Sequence, residues 1–138
     1  MKRIQHIHTI NTLFFSLLLL IMTTGCSSPE KKSMEVTATA YNSLPSQTHR
    51  AHPAITAWGD TLMPGMKVIA VSRDLIDSGL VHGTEVKIKG LKGTYIVRDK
   101  MNRRWTKKID IYMGESEHDA RQWGKKRVTI TWETTQND

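Results

Sequence analysis

The clearest signal in the chain is the alternation of apolar and polar side chains, which is typical of short β-strands. Alternating or β-branched runs predict six strands, with a shorter candidate at 55–58: 36–41, 67–71, 85–89, 94–99, 108–113 and 125–132. Two short helices are predicted, at 73–78 after Ser72 and from Ser116 to about 123. This pattern indicates a mainly β fold, either a small barrel or a sandwich.

The run at 108–113 separates two faces, because successive side chains of a strand point in opposite directions. The face predicted to enter the core carries Ile109, Ile111 and Met113. The other face carries Lys108, Asp110 and Tyr112. Aspartate is disfavoured inside strands, so we expect Asp110 to have a role; the alternative is a solvent-facing aspartate paired with Lys108. The same alternation puts Tyr95, Val97 and Asp99 on one face of the preceding strand.

The first 26 residues are predicted to be an export signal and not part of the fold. A positive start, Lys2 and Arg3, precedes an apolar run at 13–22, which is shorter than the roughly 20 residues that span a bilayer. Cys26, the only cysteine, follows small residues and resembles the lipidated cysteine of bacterial lipoproteins. We therefore expect a lipid anchor in the cell envelope, at the outer membrane facing the periplasm; the alternative is a cysteine near an ordinary cleavage site.

Charge narrows the choice of partners. The 138 residues include 20 Lys and Arg against 13 Asp and Glu, a formal net charge of +7. Export argues against a nucleic-acid partner and favours a wall polymer or an anionic membrane surface. The histidines His49, His52, His82 and His118 are interpreted as exposed loop or surface residues, so neither a metal nor another cofactor is predicted.

Several short motifs in order carry a resemblance to a known family. They are VTATAY at 36–41, TAWGD at 56–60, GMKVIAV at 65–71, GTEV at 83–86, and two aspartates eleven apart, Asp99 and Asp110, the second within IDIY. Together they resemble the three-aspartate (3D) domain of bacterial cell-wall proteins, related to the barrel domain of the membrane-bound lytic transglycosylase A family and, more distantly, to rare lipoprotein A and the expansins.

The resemblance implies a six-stranded double-psi β-barrel with short helices and a groove that binds peptidoglycan glycan strands. It implies that Asp110 is the catalytic acid/base, that Asp99 supports it, and that Asp60 matches an acidic residue of the distant relatives. The implied layout is a signal at 1–26, a tether at 27–34, the domain at 35–133 and a polar tail at 134–138. We expect a monomer.

The chain departs from the family pattern at two places. A glycine-rich segment is replaced by KMNRRWT at 100–106, and Ser72 stands where the third aspartate is usual, leaving Asp74 or Asp60 as substitutes. Side chains must then contact the sugar where glycine backbone would. The predicted substrate-binding residues are Thr56, Trp58, Lys100, Arg103, Arg104, Trp105, Lys108 and Tyr112. For Trp58, core packing is an equal alternative.

The predicted reaction is cleavage of a glycosidic bond without water, which requires one carboxyl group to donate and then accept a proton. The cations near Asp110 would lower the pKa of its carboxyl, whereas burial or a neighbouring carboxylate would raise it. If the cations prevail, the chain is a non-catalytic peptidoglycan-binding module. A polysaccharide hydrolase of the same fold is the third possibility.

Overall fold

The computed structural model describes residues 28–43 and 55–134. Six strands account for most of this part of the chain: β1 Glu30–Tyr41, β2 Val68–Val71, β3 Glu85–Ile88, β4 Tyr95–Lys100, β5 Lys108–Tyr112 and β6 Lys126–Thr134. Two short helices lie between them: α1 Arg73–Asp77 and α2 Glu117–Trp123. The predicted helices are confirmed.

The six strands form a closed barrel in the order β1-β5-β2-β4-β3-β6. Two neighbouring pairs are parallel, β1 with β5 and β2 with β4, and the remaining pairs are antiparallel. Within the part of the chain that the structure describes, closure leaves this sheet without an exposed edge for another chain to extend. The predicted fold class, a mainly β, six-stranded double-psi barrel with short helices, is confirmed.

The barrel interior is filled by one side of each strand, as the alternation predicts. The fully enclosed core includes Ile109 and Ile111 from β5, with Ile69 and Val71 from β2. A smaller apolar cluster lies outside the barrel and contains Leu62, Val68 and Tyr112, with Tyr41 and Met66 packed against it.

Two elements differ from the predictions. β1 begins at Glu30, inside the segment expected to be a tether, because residues 30–38 pair with β6 along its whole length. The short strand predicted at 55–58 does not form; only an isolated bridge joins Ile55 to Thr61. This part of the chain turns back on itself through a hydrogen bond from the Thr56 amide to the Asp60 carbonyl, 2.8 Å, which is incompatible with a continuous extended run.

Some predictions fall on residues that the structure does not describe. They concern the export signal, Cys26, the pair His49 and His52, and the last residues of the polar tail. Within residues 28–43 and 55–134, none of the helices is both long and apolar enough to cross a bilayer.

Candidate active site

A row of four side chains crosses the outer face of four adjacent strands. Thr39 of β1 pairs with Asp110 of β5, Asp110 pairs with Ala70 of β2, and Ala70 pairs with Asp99 of β4. Residues paired across a sheet project to the same side, so the two carboxylates point the same way with a small side chain between them. Their backbones are two strand spacings apart, or about 10 Å.

Asp99 joins this row through a β-bulge. Ile69 pairs with Val97, but the next residue, Ala70, pairs with Asp99, so Arg98 is extra in β4. The predicted common face of Val97 and Asp99 is therefore wrong: Val97 lies in the core, and Asp99 lies outside beside Ala70. An extra residue reverses the alternation beyond it, and bulges often re-aim a side chain in this way.

Asp110 is a half-buried carboxylate with one short hydrogen bond from an uncharged group. The Thr39 hydroxyl donates to its Oδ1 at 2.8 Å. Burial raises the pKa of Asp110 and the Asp99 charge adds to the rise, while the Thr39 hydrogen bond and the Lys108 charge oppose it; the net direction is upward. The nearby cations therefore do not prevail, and the carboxyl retains its proton to a higher pH than a free aspartate does.

Asp99 is oriented by the backbone. Its Oδ1 accepts hydrogen bonds from the amides of Ala57 and Lys100, each at 2.8 Å. Burial raises the pKa of Asp99, those two hydrogen bonds lower it, and the Asp60 charge raises it further, for a net increase. The bond to Ala57 also fastens the 55–66 loop to the sheet, so Asp99 positions the loop that borders the row.

Two tyrosines flank the row on one side, at the C-terminal ends of β1 and β5. The rings of Tyr41 and Tyr112 lie 5.5 Å apart between centroids, and the Tyr112 hydroxyl is 3.0 Å from the Ser43 hydroxyl. The Tyr41 hydroxyl is buried and has no hydrogen-bond partner among the described residues. Burial raises the pKa of Tyr41, and the charges of Asp99 and Asp110 raise it further.

Asp60 has very different surroundings. Its carboxylate is 2.7 Å from His82 Nε2 and accepts a hydrogen bond from Arg98 at 3.1 Å. Burial opposes ionisation, but the hydrogen bonds and charges of His82 and Arg98 outweigh it and lower the pKa of Asp60. The Thr56 hydroxyl accepts from the Asp60 amide at 3.0 Å and is itself buried. This cluster therefore stabilises a turn and an ionised carboxylate.

The two tryptophans that are predicted to bind substrate, Trp58 and Trp105, each lie next to a lysine side chain. Lys108 Nζ lies 3.7 Å from the centroid of the Trp105 ring, and Arg104 lies 4.9 Å from it. Trp105 keeps 37% of its surface exposed. Lys100 lies 5.5 Å above Trp58, which also packs against the core and places its ring edge-on to His82. Each tryptophan ring therefore contacts a positively charged side chain near the row.

The loop at 101–107, which replaces the expected glycines, is held at both ends. Met101 is nearly buried, and its amide donates to the Val71 carbonyl at 2.9 Å. At the other end, Lys107 adopts φ 44°, and its amide donates to Asp74 Oδ2 at 2.9 Å. Asp74 therefore anchors this loop, whereas Asp60 is the candidate that lies close enough to Asp99 to affect its pKa. Arg103 lies exposed in the same loop.

The structure brings together most of the predicted site residues: Asp99, Asp110 and Lys108 on the sheet, and Asp60, Trp58, Lys100 and Trp105 around them. Tyr112 and Thr56 are buried, so a substrate would contact the residues around them instead of these two side chains. Whether these side chains bind a glycan stays a prediction. Sequence reasoning missed Thr39, Tyr41, His82 and Arg98. The alternation of β1 could have identified the first two, since they share its polar face.

A separate hollow of about 440 Å³ lies on the β3 and β6 side of the barrel. Its lining includes Lys31, Lys87, Glu85 and Glu133 together with His82, which also contacts Asp60. None of the carboxylates of the row lines it. Among the described residues, no group of three or more His, Cys, Asp or Glu side chains is arranged to hold a metal ion.

Among solved structures, the chain is similar to a crystal structure of apo expansin from Clavibacter michiganensis. The two chains are 16% identical, the match covers 78% of this chain and 52% of the other, and the TM-score is 0.47. This chain therefore spans about half the length of that structure. No family model matches the sequence, and no curated protein matches it.

Proposed function

We propose that this chain is a cell-envelope lipoprotein of the three-aspartate domain type that cleaves peptidoglycan glycan strands, in the manner of a lytic transglycosylase. The observation that carries the proposal is the Asp110 carboxyl: half-buried, held by the Thr39 hydroxyl, with its pKa raised. A general acid must be protonated when substrate arrives, and it is most effective with a pKa near the working pH.

In the proposed reaction, Asp110 donates its proton to the glycosidic oxygen as the bond from that oxygen to the anomeric carbon breaks. The resulting carboxylate then takes the proton from the 6-hydroxyl of the same sugar, and that oxygen bonds to the anomeric carbon. The product is an anhydro sugar, and no water is consumed. One carboxyl group supports both steps, which agrees with a site where Asp99 is committed to two backbone amides.

The spacing of the carboxylates bears on the alternative of a hydrolase. Retaining glycosidases hold their two carboxyl groups about 5–5.5 Å apart, and inverting ones about 6.5–9.5 Å. Strand backbones about 10 Å apart favour the wider spacing for Asp99 and Asp110. A hydrolase at this site would therefore be expected to invert, with Asp99 as the base.

A binding module is the second candidate, and the exposed basic side chains favour it. Arg103 and Arg104 are exposed in a loop at the border of the row, where they would meet the carboxylates of stem peptides on a glycan strand. Such a module would bind the strand and leave it uncut.

Purified sacculi separate the three functions. The full chain, purified in detergent, is incubated with sacculi, and released fragments are analysed by mass spectrometry. Anhydro-ended fragments that disappear with Asp110→Asn support the proposal. Reducing-end fragments would identify a hydrolase. Pelleting with sacculi without release, equal for wild type and Asp110→Asn, would refute cleavage and leave the binding module.

The proposed anchor has its own test. Cys26→Ser should move the protein from the membrane fraction to the soluble fraction of the cell envelope, because a thioether-linked lipid can no longer form. Unchanged membrane fractionation of Cys26→Ser would contradict the lipoprotein proposal, whatever the activity on sacculi.

A further inference from the structure

Lys108 is the cation placed most directly to pair with Asp110. The two residues are i and i+2 on β5 and share its outer face, so their backbones are about 7 Å apart along the strand. A lysine side chain can reach across that distance. An ammonium group that reached Asp110 would stabilise the ionised carboxylate and remove the proton the proposed acid needs.

The Lys108 ammonium group is directed elsewhere. Its Nζ lies 3.7 Å from the centre of the Trp105 ring, within the range of a cation–π interaction. No ion pair between Lys108 and Asp110 forms among the described residues, whereas five other ion pairs do. The Lys108 charge still lowers the pKa of Asp110, but burial outweighs it.

The loop that carries Trp105 is built to bring the ring to this position. The Trp105 amide donates to the Asn102 carbonyl at 3.1 Å, which closes the turn. Lys107, with its left-handed φ of 44°, reverses the chain into β5, a conformation that costs energy for a residue with a side chain and that the Asp74 carboxylate holds through the Lys107 amide. The Lys108 amide is fixed in turn by the Ser72 hydroxyl at 3.0 Å.

We propose that Trp105 is a positioning residue that holds the Lys108 ammonium over its ring and so away from the Asp110 carboxyl on the same face of β5. The inference rests on the proposed function for its purpose, but the contact itself can be tested without catalysis. Trp105 then acts through Lys108 and Asp110, and its ring face is occupied by a cation instead of being open for stacking on sugar.

The other groups that face Asp110 supply no positive charge that could pair with its carboxylate. β1 contributes the Thr39 hydroxyl and the Tyr41 phenol, and β4 contributes Asp99. β5 contributes Lys108 and Tyr112, which precede and follow Asp110 on the same face of the strand. Ala70 of β2 is uncharged. Among these neighbours Lys108 alone is a cation, so its position governs whether Asp110 gains an ion pair.

The test is a titration of the Asp110 carboxyl by NMR of isotope-labelled aspartate, on the full chain in detergent. Trp105→Ala should lower the pKa of Asp110 relative to wild type, because the released ammonium pairs with the carboxylate. Trp105→Leu, which keeps apolar bulk without the π face, should shift it in the same direction. Adding Lys108→Met to Trp105→Ala should abolish the downward shift.

Lys126→Met is the matched control, because Lys126 makes a similar contact, 4.2 Å from the centre of the Trp123 ring, outside the site. It should leave the Asp110 titration unchanged. An Asp110 pKa that is the same in wild type and Trp105→Ala would overturn the inference. So would a downward shift that persists in the double variant, because Lys108 would then not be its source.

If sacculi are cleaved, Trp105→Ala should also move to lower pH the limb of the pH–rate profile on which the rate falls as pH rises, because that limb follows loss of the proton from the acid. The rate at neutral pH should fall by about tenfold for each unit by which the titration shows the pKa of Asp110 to be lowered. The double variant should recover that rate. If no cleavage occurs but the titration shifts as expected, the proposed function fails while the Trp105 inference stands. The two failures are thus distinguishable.

Discussion

Asp110 and Asp60 both interact electrostatically with Asp99, and both are predicted catalytic residues, yet their surroundings drive their pKa values in opposite directions. Asp110 has an uncharged hydroxyl as its hydrogen-bond donor, and its pKa rises. Asp60 has an imidazole and a guanidinium, and its pKa falls. Burial disfavours the charged form of both, so the difference comes from the charge of the partners.

The opposite pKa shifts of Asp110 and Asp60 suit them to different roles. A carboxyl that keeps its proton can protonate a leaving group, whereas a carboxylate tied to two basic side chains holds a loop in place and resists protonation. Asp99 combines both features, with a raised pKa and a hydrogen bond that fastens the 55–66 loop.

The largest effect is expected from removing the proton donor. Asp110→Asn should reduce the release of fragments from sacculi about 10²- to 10⁴-fold, the range for loss of a general acid, because an amide cannot donate the required proton. Asp60→Asn should reduce it less than about tenfold. Initial rates of fragment release measure both. Equal losses in the two variants would contradict the assignment of separate roles.

The Thr39 hydrogen bond should matter most when Asp110 is ionised. Thr39→Val leaves a half-buried carboxylate without its donor, which we expect to cost about 1–3 kcal/mol of unfolding free energy at high pH. The same change should raise the pKa of Asp110 further, since this bond favours the charged form. Denaturant unfolding at several pH values measures the cost. Thr39→Ser, which keeps the hydroxyl, is the control and should lose less than half as much.

Asp110 and Asp60 should make the free energy of unfolding depend on pH in opposite directions. For Asp110, the folded pKa lies above the unfolded value of 3.8, so the folded state binds more protons and stability falls as pH rises through the folded pKa. For Asp60 the folded pKa lies below 3.8, so its contribution is present above that value and is lost as pH falls through the folded pKa.

Replacing each aspartate in turn should therefore separate the two pH dependences. As pH rises above about 4, Asp110→Asn should gain stability relative to wild type, whereas Asp60→Asn should lose about 0.5–1 kcal/mol, the scale of a partly exposed ion pair. Thermal or denaturant unfolding between acidic and neutral pH measures both differences. Parallel curves for wild type and Asp110→Asn would show that the carboxyl titrates alike in the folded and unfolded chain.

The smallest effect concerns the hydroxyl of Tyr41, which is buried without a partner among the described residues. Tyr41→Phe should leave stability unchanged or raise it by up to about 1 kcal/mol, because no hydrogen bond is lost and an unsatisfied group is removed. Tyr112→Phe is the matched variant and should lose stability, since its hydroxyl lies 3.0 Å from that of Ser43. Equal stability changes in the two variants would count against this difference.

Most of the fold could be predicted because the alternation of side chains is a local property. The runs that became β2 to β6 were found within a few residues of their observed bounds, and the inward and outward faces of β5 were correct. The local pattern does not predict the start of β1: residues 30–35 are charged or polar apart from Met34, and they form a strand because β6 offers them partners. Pairing between distant segments compensates there for a weak local pattern.

The candidate site was predictable in its residue types and less so in its arrangement. Asp110 could be placed on the outer face from IDIY alone. Asp99 was assigned to the wrong face, because the bulge at Arg98 depends on how β4 pairs with β2. His82 and Arg98 lie 22 and 38 residues from Asp60, and nothing in the local pattern links them to it.

The sequence by itself determined that this chain forms short strands with an apolar side, and that one strand presents an aspartate outward, because side chains alternate along any extended backbone. The tertiary structure decided which groups surround each aspartate. Strand register aligned Thr39, Asp110 and Asp99 in one row, and loop closure gave Asp60 its two basic partners. Since the pKa of a carboxyl depends on burial and on charges brought from elsewhere in the chain, only the closed barrel distinguishes the candidate acid from the structural ion pair.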